Sequence, residues 1–512
     1  MPPVHIKDLR VWKVKYGLTR EGFLAYVAEK GQKPDLAEAR KNRSALTPLT
    51  TGDEFFHDGS TAYVTTTVKE CRRETFRVNS TEYAEVLSYR HDQQKGKAPS
   101  KQAIGEWQAT LCGRAKHDGP PRSVYVRIAY DKESNCIYFD LADAERHVVQ
   151  ISSDGWKVIR DTDCEVRFIR PHGQLGLPLP VSGGSLDELC PLLNVPSDDF
   201  PLIPGWLLGV FLPMGEMPGL AFSGQQGSGK SEACRMLRQL VDPAEVDNRP
   251  LSDERNLFVA AGNLFVLLFD NLSSIPPTMA DVLCRLLSGS GYAIRQNYSD
   301  NQEILFRGRR PLLFNGIPSE LCDRADLRDR VICVNLPPID SKHRKSKTQL
   351  QDYFEAARPR ILGALLSAVA TALKRRDEVQ ITESPRMADF FRFVVAAEPS
   401  LPFPAGSFAR AYEQDRRAAT DLALENSVVA TTILRLLSKQ PTWEGTSKQL
   451  LAEIDDPAYS RSRESWDTPK NPKAVSIALQ RIAPALRARG IEFTKGRHTE
   501  GGNLICLRRI SG

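Results

Sequence analysis

The sequence predicts a multidomain chain: an α+β N-terminal domain, a central α/β core with a helical lid, and a small C-terminal domain of helices and strands. Three observations carry this reading. A glycine-rich octapeptide, Gly224-Gln225-Gln226-Gly227-Ser228-Gly229-Lys230-Ser231, stands between a short apolar run and an amphipathic stretch. Segments of alternating polarity crowd residues 123–170. Residues 441–509 combine helical spacing with two short strands. At 512 residues the chain has room for about three domains. The expected division is 1–48, a helical or extended segment; 49–175, the α+β domain; 176–203, a linker; 204–340, the core; 341–438, the lid and connecting helices; and 439–512, the C-terminal domain.

The formal net charge of +6 permits a nucleic-acid partner without requiring one. The ten cysteines include no C-x-x-C pair, so neither a zinc framework nor a disulfide scaffold is expected. The N-terminal residues lack an apolar run behind a basic one, and no membrane span is read; a cytoplasmic protein is the expectation.

In the N-terminal third, one helix is expected from Thr19 to Lys30. Ala62–Val64 and Glu74–Val78 read as strands, and Ser80 can cap a helix through Tyr83 and Val86. A second helix places Ile104, Trp107 and Leu111 on one face. The basic stretch Lys95–Lys101 between them is either a solvated face or a DNA contact. Val124–Ala129, Cys136–Leu141, Val148–Ile151, Trp156–Ile159 and Val166–Ile169 read as successive strands. Cys112/His117 and Asp143/His147 each offer two metal donors where a closed zinc site needs four.

The octapeptide fits G-x-x-x-x-G-K-[S/T] throughout. Glycines let backbone N–H groups curl around a phosphate, and the helix start behind them adds free donors and a favourable dipole. Lys230 can reach the β and γ phosphates of ATP, and Ser231 can hold Mg²⁺. Leu264–Phe269 is an apolar run ending in Asp270, the pattern of a central parallel strand with a magnesium ligand at its tip. Asn271 follows, where a second acid often prepares the attacking water; Glu303 is a candidate base. Residues 291–298 and 303–306 can pair as a hairpin presenting Arg295 and Tyr298 to a nucleic-acid backbone, or packing locally. Asn315 ends the next apolar strand and can sense the γ-phosphate or orient water. Arg330, and after it Arg324, precede the strand Val331–Leu336, from which an arginine can reach a neighbouring subunit's phosphate.

This order of elements resembles AAA+ ATPases. Within them, Phe269-Asp270-Asn271-Leu272-Ser273, Arg310–Ile317 and Asp326–Arg330 resemble the superfamily 3 and D5-like helicases of phages, plasmids and other mobile elements. The resemblance covers roughly 206–512 and leaves the N-terminal third unmatched. It implies a homo-oligomeric ring, usually hexameric, that hydrolyses ATP between subunits and moves along single-stranded or forked DNA. Primase or other replication proteins are partners it suggests. It also places a helical lid after residue 340, with Arg360 as a second phosphate sensor. Asp270-Asn271 departs from the usual pair of acids.

Ser341–Arg376 holds nine Lys or Arg against two acids, crowded first at Lys342, Arg344, Lys345 and Lys347. Such a run either lies against phosphates or is a solvated linker. Residues 441–509 resemble the winged-helix tail of many mobile-element helicases and primases, whose helix and wing would bring Arg487, Arg489, Lys495 and Arg497 to DNA or serve as a protein contact. The expected function is an ATP-driven DNA helicase or translocase in mobile-element replication. The alternatives are a non-unwinding initiator or loader, and a defence or regulatory ATPase that scaffolds protein partners.

Overall fold

The computed structural model describes residues 46–69, 72–251, 253–272, 274–295, 303–306, 308–316, 325–340, 342, 344–381, 385–455, 468–499 and 502–510. The helix expected from Thr19 to Lys30 lies outside them. The chain forms two compact units, Met1–Ser123 and Val124–Gly512. The division falls inside the stretch expected as one α+β domain.

In the first unit, β1 (Glu54–His57), β2 (Ala62–Lys69) and β3 (Arg72–Arg77) form an antiparallel sheet in that order. Helices α1 (Thr81–Lys95) and α2 (Lys101–His117) pack on it. Each begins where a serine satisfies a free helix donor: Ser80 Oγ accepts from Tyr83 N–H and Ser100 Oγ from Ala103 N–H. Val64, Tyr83, Leu87, Trp107 and Leu111 form the core. Asp53, nearly buried, accepts from the Tyr83 hydroxyl at 2.8 Å and pairs with Arg90 at 3.0 Å. Burial and that carboxylate together hold the Tyr83 pKa far above its ordinary value.

The second unit opens with β4 (Val124–Tyr125), β5 (Ile128–Asp131), β6 (Cys136–Asp140), β7 (His147–Ser152), β8 (Gly155–Arg160) and β9 (Arg167–Phe168). Strands β5 to β8 make an antiparallel meander, while β9 pairs in parallel with β4 instead of continuing the meander. The strand expected over Val124–Ala129 is broken at Arg127, a buried residue with φ of 64°. Its guanidinium turns inward, and Nε donates to Asp242 at 2.9 Å. Ile137, Phe139, Val149 and Ile151 enter a core shared with Trp206 and Phe211. Asp143 and His147 close on each other at 2.6 Å beside the β6–β7 turn, and no cluster of three metal donors occurs among the described residues.

Helix α3 (Leu202–Val210) is buried throughout and leads to β10 (Gly219–Ser223). There follow α4 (Lys230–Val241), α5 (Glu254–Asn263), β11 (Leu267–Leu272), α6 (Pro277–Ser288), the hairpin β12 (Tyr292–Arg295) and β13 (Glu303–Phe306), β14 (Leu312–Gly316) and β15 (Val331–Asn335). Four strands form a parallel sheet in the order β11-β14-β10-β15. Strand β11 is therefore at the edge of the described sheet, not its centre. Its apolar run is buried because α5 and α6 supply Leu257, Phe258, Met279 and Leu283 against Phe269.

Helices α7 (Lys347–Arg375), α8 (Ala388–Ala397) and α9 (Ser407–Glu425) follow the sheet. By length and composition α7 could cross a bilayer, yet Phe354, Ile361, Leu362, Leu365 and Leu366 are buried inside the protein. Residues 176–203, expected as a linker, bury Leu177, Leu186, Leu189, Leu193 and Phe200 in the same core. The chain crosses α7 where two glycines admit it: a Cβ on Gly363 would stand 1.9 Å from Val181 O, and one on Gly184 2.3 Å from Arg360 O.

The C-terminal elements are α10 (Val428–Lys439), β16 (Thr442–Thr446), α11 (Ser447–Ile454), α12 (Pro472–Ala488), β17 (Ile491–Thr499) and β18 (Gly502–Arg509). The sheet order is β16-β18-β17, packed through Ile433, Leu437, Trp443, Leu450, Leu479 and Leu507. Strand β16 is not read from sequence: its Glu444 and Gly445 interrupt any apolar alternation.

Candidate nucleotide site

Parallel strands leave their C-terminal tips beside helix starts, and the candidate site lies there, at the ends of β10, β11 and β14. After Ser223 the chain turns through Gly224, Gly227 and Gly229 at φ of 134°, 82° and 91°. These conformations suit glycine. At Gly224 space is decisive too, since a Cβ would stand 2.4 Å from Leu336 O. No side chain caps the start of α4, so its first-turn N–H groups face the loop uncapped. Lys230 Nζ folds back and donates to the carbonyls of Gly224 and Gln225, both at 2.9 Å. Asn194 Nδ2 holds the loop from outside, donating to Ser228 O at 3.1 Å and Pro337 O at 2.6 Å.

Three side chains from three elements meet at the foot of the loop. Ser231 Oγ, on α4, donates to Asp270 Oδ1, on β11, at 3.2 Å. Asn315 Nδ2, on β14, donates to Ser231 Oγ at 2.7 Å and also to Asp270 Oδ1. Asn315 is 2% exposed, and its Oδ1 is buried without a hydrogen-bond partner. The register of β11 on β14 shifts between Phe269 and Leu272, and Asn271 takes φ of 55° while donating its N–H to Asp270 Oδ1 at 3.0 Å. The strand thus runs past Asp270, with an irregularity where the carboxylate meets Ser231. A hydroxyl and a carboxylate are hard oxygen donors, a pair that fits Mg²⁺. Cys234 lies nearby on α4, where burial, reinforced by the charge of Asp270, pushes its thiol pKa well up and keeps it protonated.

The meeting point opens into a cavity of about 790 Å³ lined by Ser231, Arg235, Asp247, Asp270, Lys347 and Gln351, among others. Its volume is in the range of small-molecule pockets.

The other expected site residues are placed as follows. Arg330 precedes β15 at the opposite end of the sheet from the loop: Gly219 N donates to Arg330 O at 2.9 Å, and Gly219 pairs in register with Val331. Its side chain is largely covered, with Nη1 donating to Asp326 O at 3.0 Å and Nε 3.8 Å from Glu216. Arg324 and Tyr298 lie outside the described residues. Arg295 and Glu303 are register partners in the β12–β13 hairpin. Arg360 does not join the site. It pairs with Glu188 at 2.6 Å, about 20 Å along α7 from Lys347 at the helical rise per residue. Arg489, exposed on the surface, pairs with Asp421 at 2.5 Å. Arg487 and Lys495 are exposed, on α12 and β17, and Arg497 lies in β17. Sequence reasoning missed Asn194, whose role depends on a distant loop, and read Arg344 and Lys347 only as members of a basic run.

Residues 186–415 match the family model described as actinomycete integrative conjugative element replication protein, and residues 429–512 match that of the AICE RepA C-terminal domain. Over these stretches the chain is similar to that replication-protein family. The family's main region thus contains the loop, Asp270, Asn315 and Arg330, and its C-terminal domain begins at α10. Among solved structures, one titled the A form apo structure of the NrS-1 C-terminal region shares 11% identity, covering 91% of this chain and 98% of that chain with a TM-score of 0.41. A JCV helicase with a substituted N-phenylacetamide bound shares 17% identity, covering 50% of this chain and 64% of that chain with a TM-score of 0.25. Likeness at these scores assigns no residue role. No curated protein matches the sequence.

Proposed function

We propose that this replication protein is a P-loop ATPase of AAA+ type, which assembles as a ring, commonly a hexamer, and moves along or separates single-stranded or forked DNA. The observation that supports it most is the meeting of Ser231, Asp270 and Asn315 beneath an uncapped helix start and a glycine loop. In this reading the loop N–H groups of Gln225 to Gly229 cradle the phosphates of ATP, and Lys230 leaves its two carbonyls to pair with them. Ser231 and Asp270 would hold Mg²⁺, which when bound screens phosphate charge. Asn315, which donates to both ligands, orients them. Arg330 serves a neighbouring subunit's site. The C-terminal domain acts as a winged helix that meets DNA through Arg487, Lys495 and Arg497, and the β12–β13 hairpin offers Arg295 to the strand.

Asn271 favours a second reading. A neutral side chain beside Asp270 cannot act as a general base, which suits an initiator or loader that uses ATP as a slow switch. Two assays on one preparation separate these readings: steady-state ATPase with and without DNA, and strand displacement on a fork. Lys230→Ala and Asp270→Ala should each abolish turnover in a folded protein. Normal turnover by either would refute the site. Turnover without strand displacement would favour the switch.

A further inference from the structure

We infer that Arg344 is a second cationic contact for the phosphates of a nucleotide at the Gly224–Ser231 loop, delivered by the same chain on the connector between β15 and α7. The inference rests on the nucleotide reading of the loop.

The connector follows the loop residue by residue. Leu336 N donates to Ser223 O at 2.8 Å, and Leu336 O closes the space over Gly224. Further along, Ile339 Cδ1 lies 3.5 Å from where a Cβ on Gly229 would stand. Arg344 Nη2 lies 3.2 Å from the same point on Gly227. The guanidinium therefore sits against the middle of the loop, on the side that glycine leaves open.

Its neighbours in the basic run are placed otherwise. Lys345 Nζ donates to Pro191 O at 3.1 Å and lies 5.5 Å from the Tyr353 ring centre. Lys347 lines the cavity beside Ser231 and Asp270. Arg344 is exposed and makes no ion pair among the described residues. Two residues later Ser346 caps α7 with a reciprocal bond to Gln349, which fixes the connector's end next to the cavity. A cation with no counter-charge among the described residues, held against a loop of backbone donors, suits an anion as its partner. The planar fork of a guanidinium suits two phosphate oxygens at once. Its position against Gly227, at the middle of the loop, directs it to phosphates that ADP and ATP share.

The test is equilibrium binding of ADP and a slowly hydrolysed ATP analogue, by calorimetry on the full chain. Arg344→Ala should weaken both ligands about 10- to 100-fold, the range of one charge-assisted bond. Arg344→Lys should retain part of the affinity, and Lys342→Ala, an exposed basic neighbour, should retain all of it. Circular dichroism checks the fold of each. Wild-type affinity in Arg344→Ala, with binding lost in Lys230→Ala, would overturn the inference and leave the nucleotide site standing. An equal loss in Lys342→Ala would also overturn it, by assigning the effect to overall charge. If the wild-type chain binds neither ligand, the nucleotide reading falls and the inference with it.

Discussion

Arg127 and Asp242 form the most consequential ion pair outside the candidate site. Their side chains are 0% and 2% exposed. Asp242 ends α4, the helix that starts at the glycine loop, and its second oxygen accepts the N–H groups of Phe265 and Val266 at 3.0 and 2.9 Å, just before β11. Arg127 completes the group, donating to Asp242, to Asp140 O at 3.1 Å and to Leu175 O at 2.9 Å. Replacing Arg127 with Met leaves a buried carboxylate without its counter-ion, a change that costs about 3–5 kcal/mol. At about 2 °C per kcal/mol for a large cooperative unit, the transition should fall by about 6–10 °C. Adding Asp242→Asn removes the buried charge but keeps an oxygen for the two amides, so the double variant should recover part of the loss. Asp242→Leu would not serve, because it strands both N–H groups at about 1–3 kcal/mol each. Scanning calorimetry reads all three. A transition within 2 °C of wild type in Arg127→Met, or no recovery in Arg127→Met with Asp242→Asn, would refute the view that buried charge dominates this contact.

Two further outcomes are expected. Gly363→Ala should drive residues 176–185 off α7, because the new Cβ meets Val181 O and C at 1.9 and 2.6 Å, both backbone; the loss should be about 1–3 kcal/mol, with new proteolytic cleavage in that segment as the readout. Arg330→Ala should bind ATP yet hydrolyse it poorly, and mixing it with Lys230→Ala should restore part of the activity if subunits exchange; full activity of Arg330→Ala in an assembled state would transfer the role to Arg324.

Much of the central sheet is legible because its signals are local. Glycine spacing marks the loop, and apolar runs that end in a polar residue place Asp270 and Asn315 at neighbouring strand tips. What stays hidden depends on contacts far apart in sequence. Arg127 looks like the polar half of an alternating strand, yet Asp242 draws it inward and splits that strand in two. Asn194 carries no motif, because its work is to hold Ser228 and Pro337 from a segment whose Pro, Gly and Ser content reads as linker. Arg344 and Arg360 are equally basic in sequence. Only the path of the connector puts the first on the loop, and only Glu188 takes the second away.

The sheet's polarity bears on how such a chain could work. Strands β10 and β15 run parallel, with Gly219 opposite Val331 at one end and Ser223 opposite Asn335 at the other. The glycine loop leaves the second end, while Arg330 enters at the first. Four residues of extended chain separate them, roughly 13 Å, and the sheet itself lies between. Arg330 is therefore unable to reach the loop of its own chain without dismantling β15. In the isolated chain its Nη1 donates to the Asp326 carbonyl and Glu216 lies 3.8 Å from its Nε. If Arg330 acts on a phosphate at all, that phosphate belongs to another copy, and Glu216 must give it up on assembly. Turnover per chain should then rise with protein concentration, a dependence that a self-sufficient site would lack.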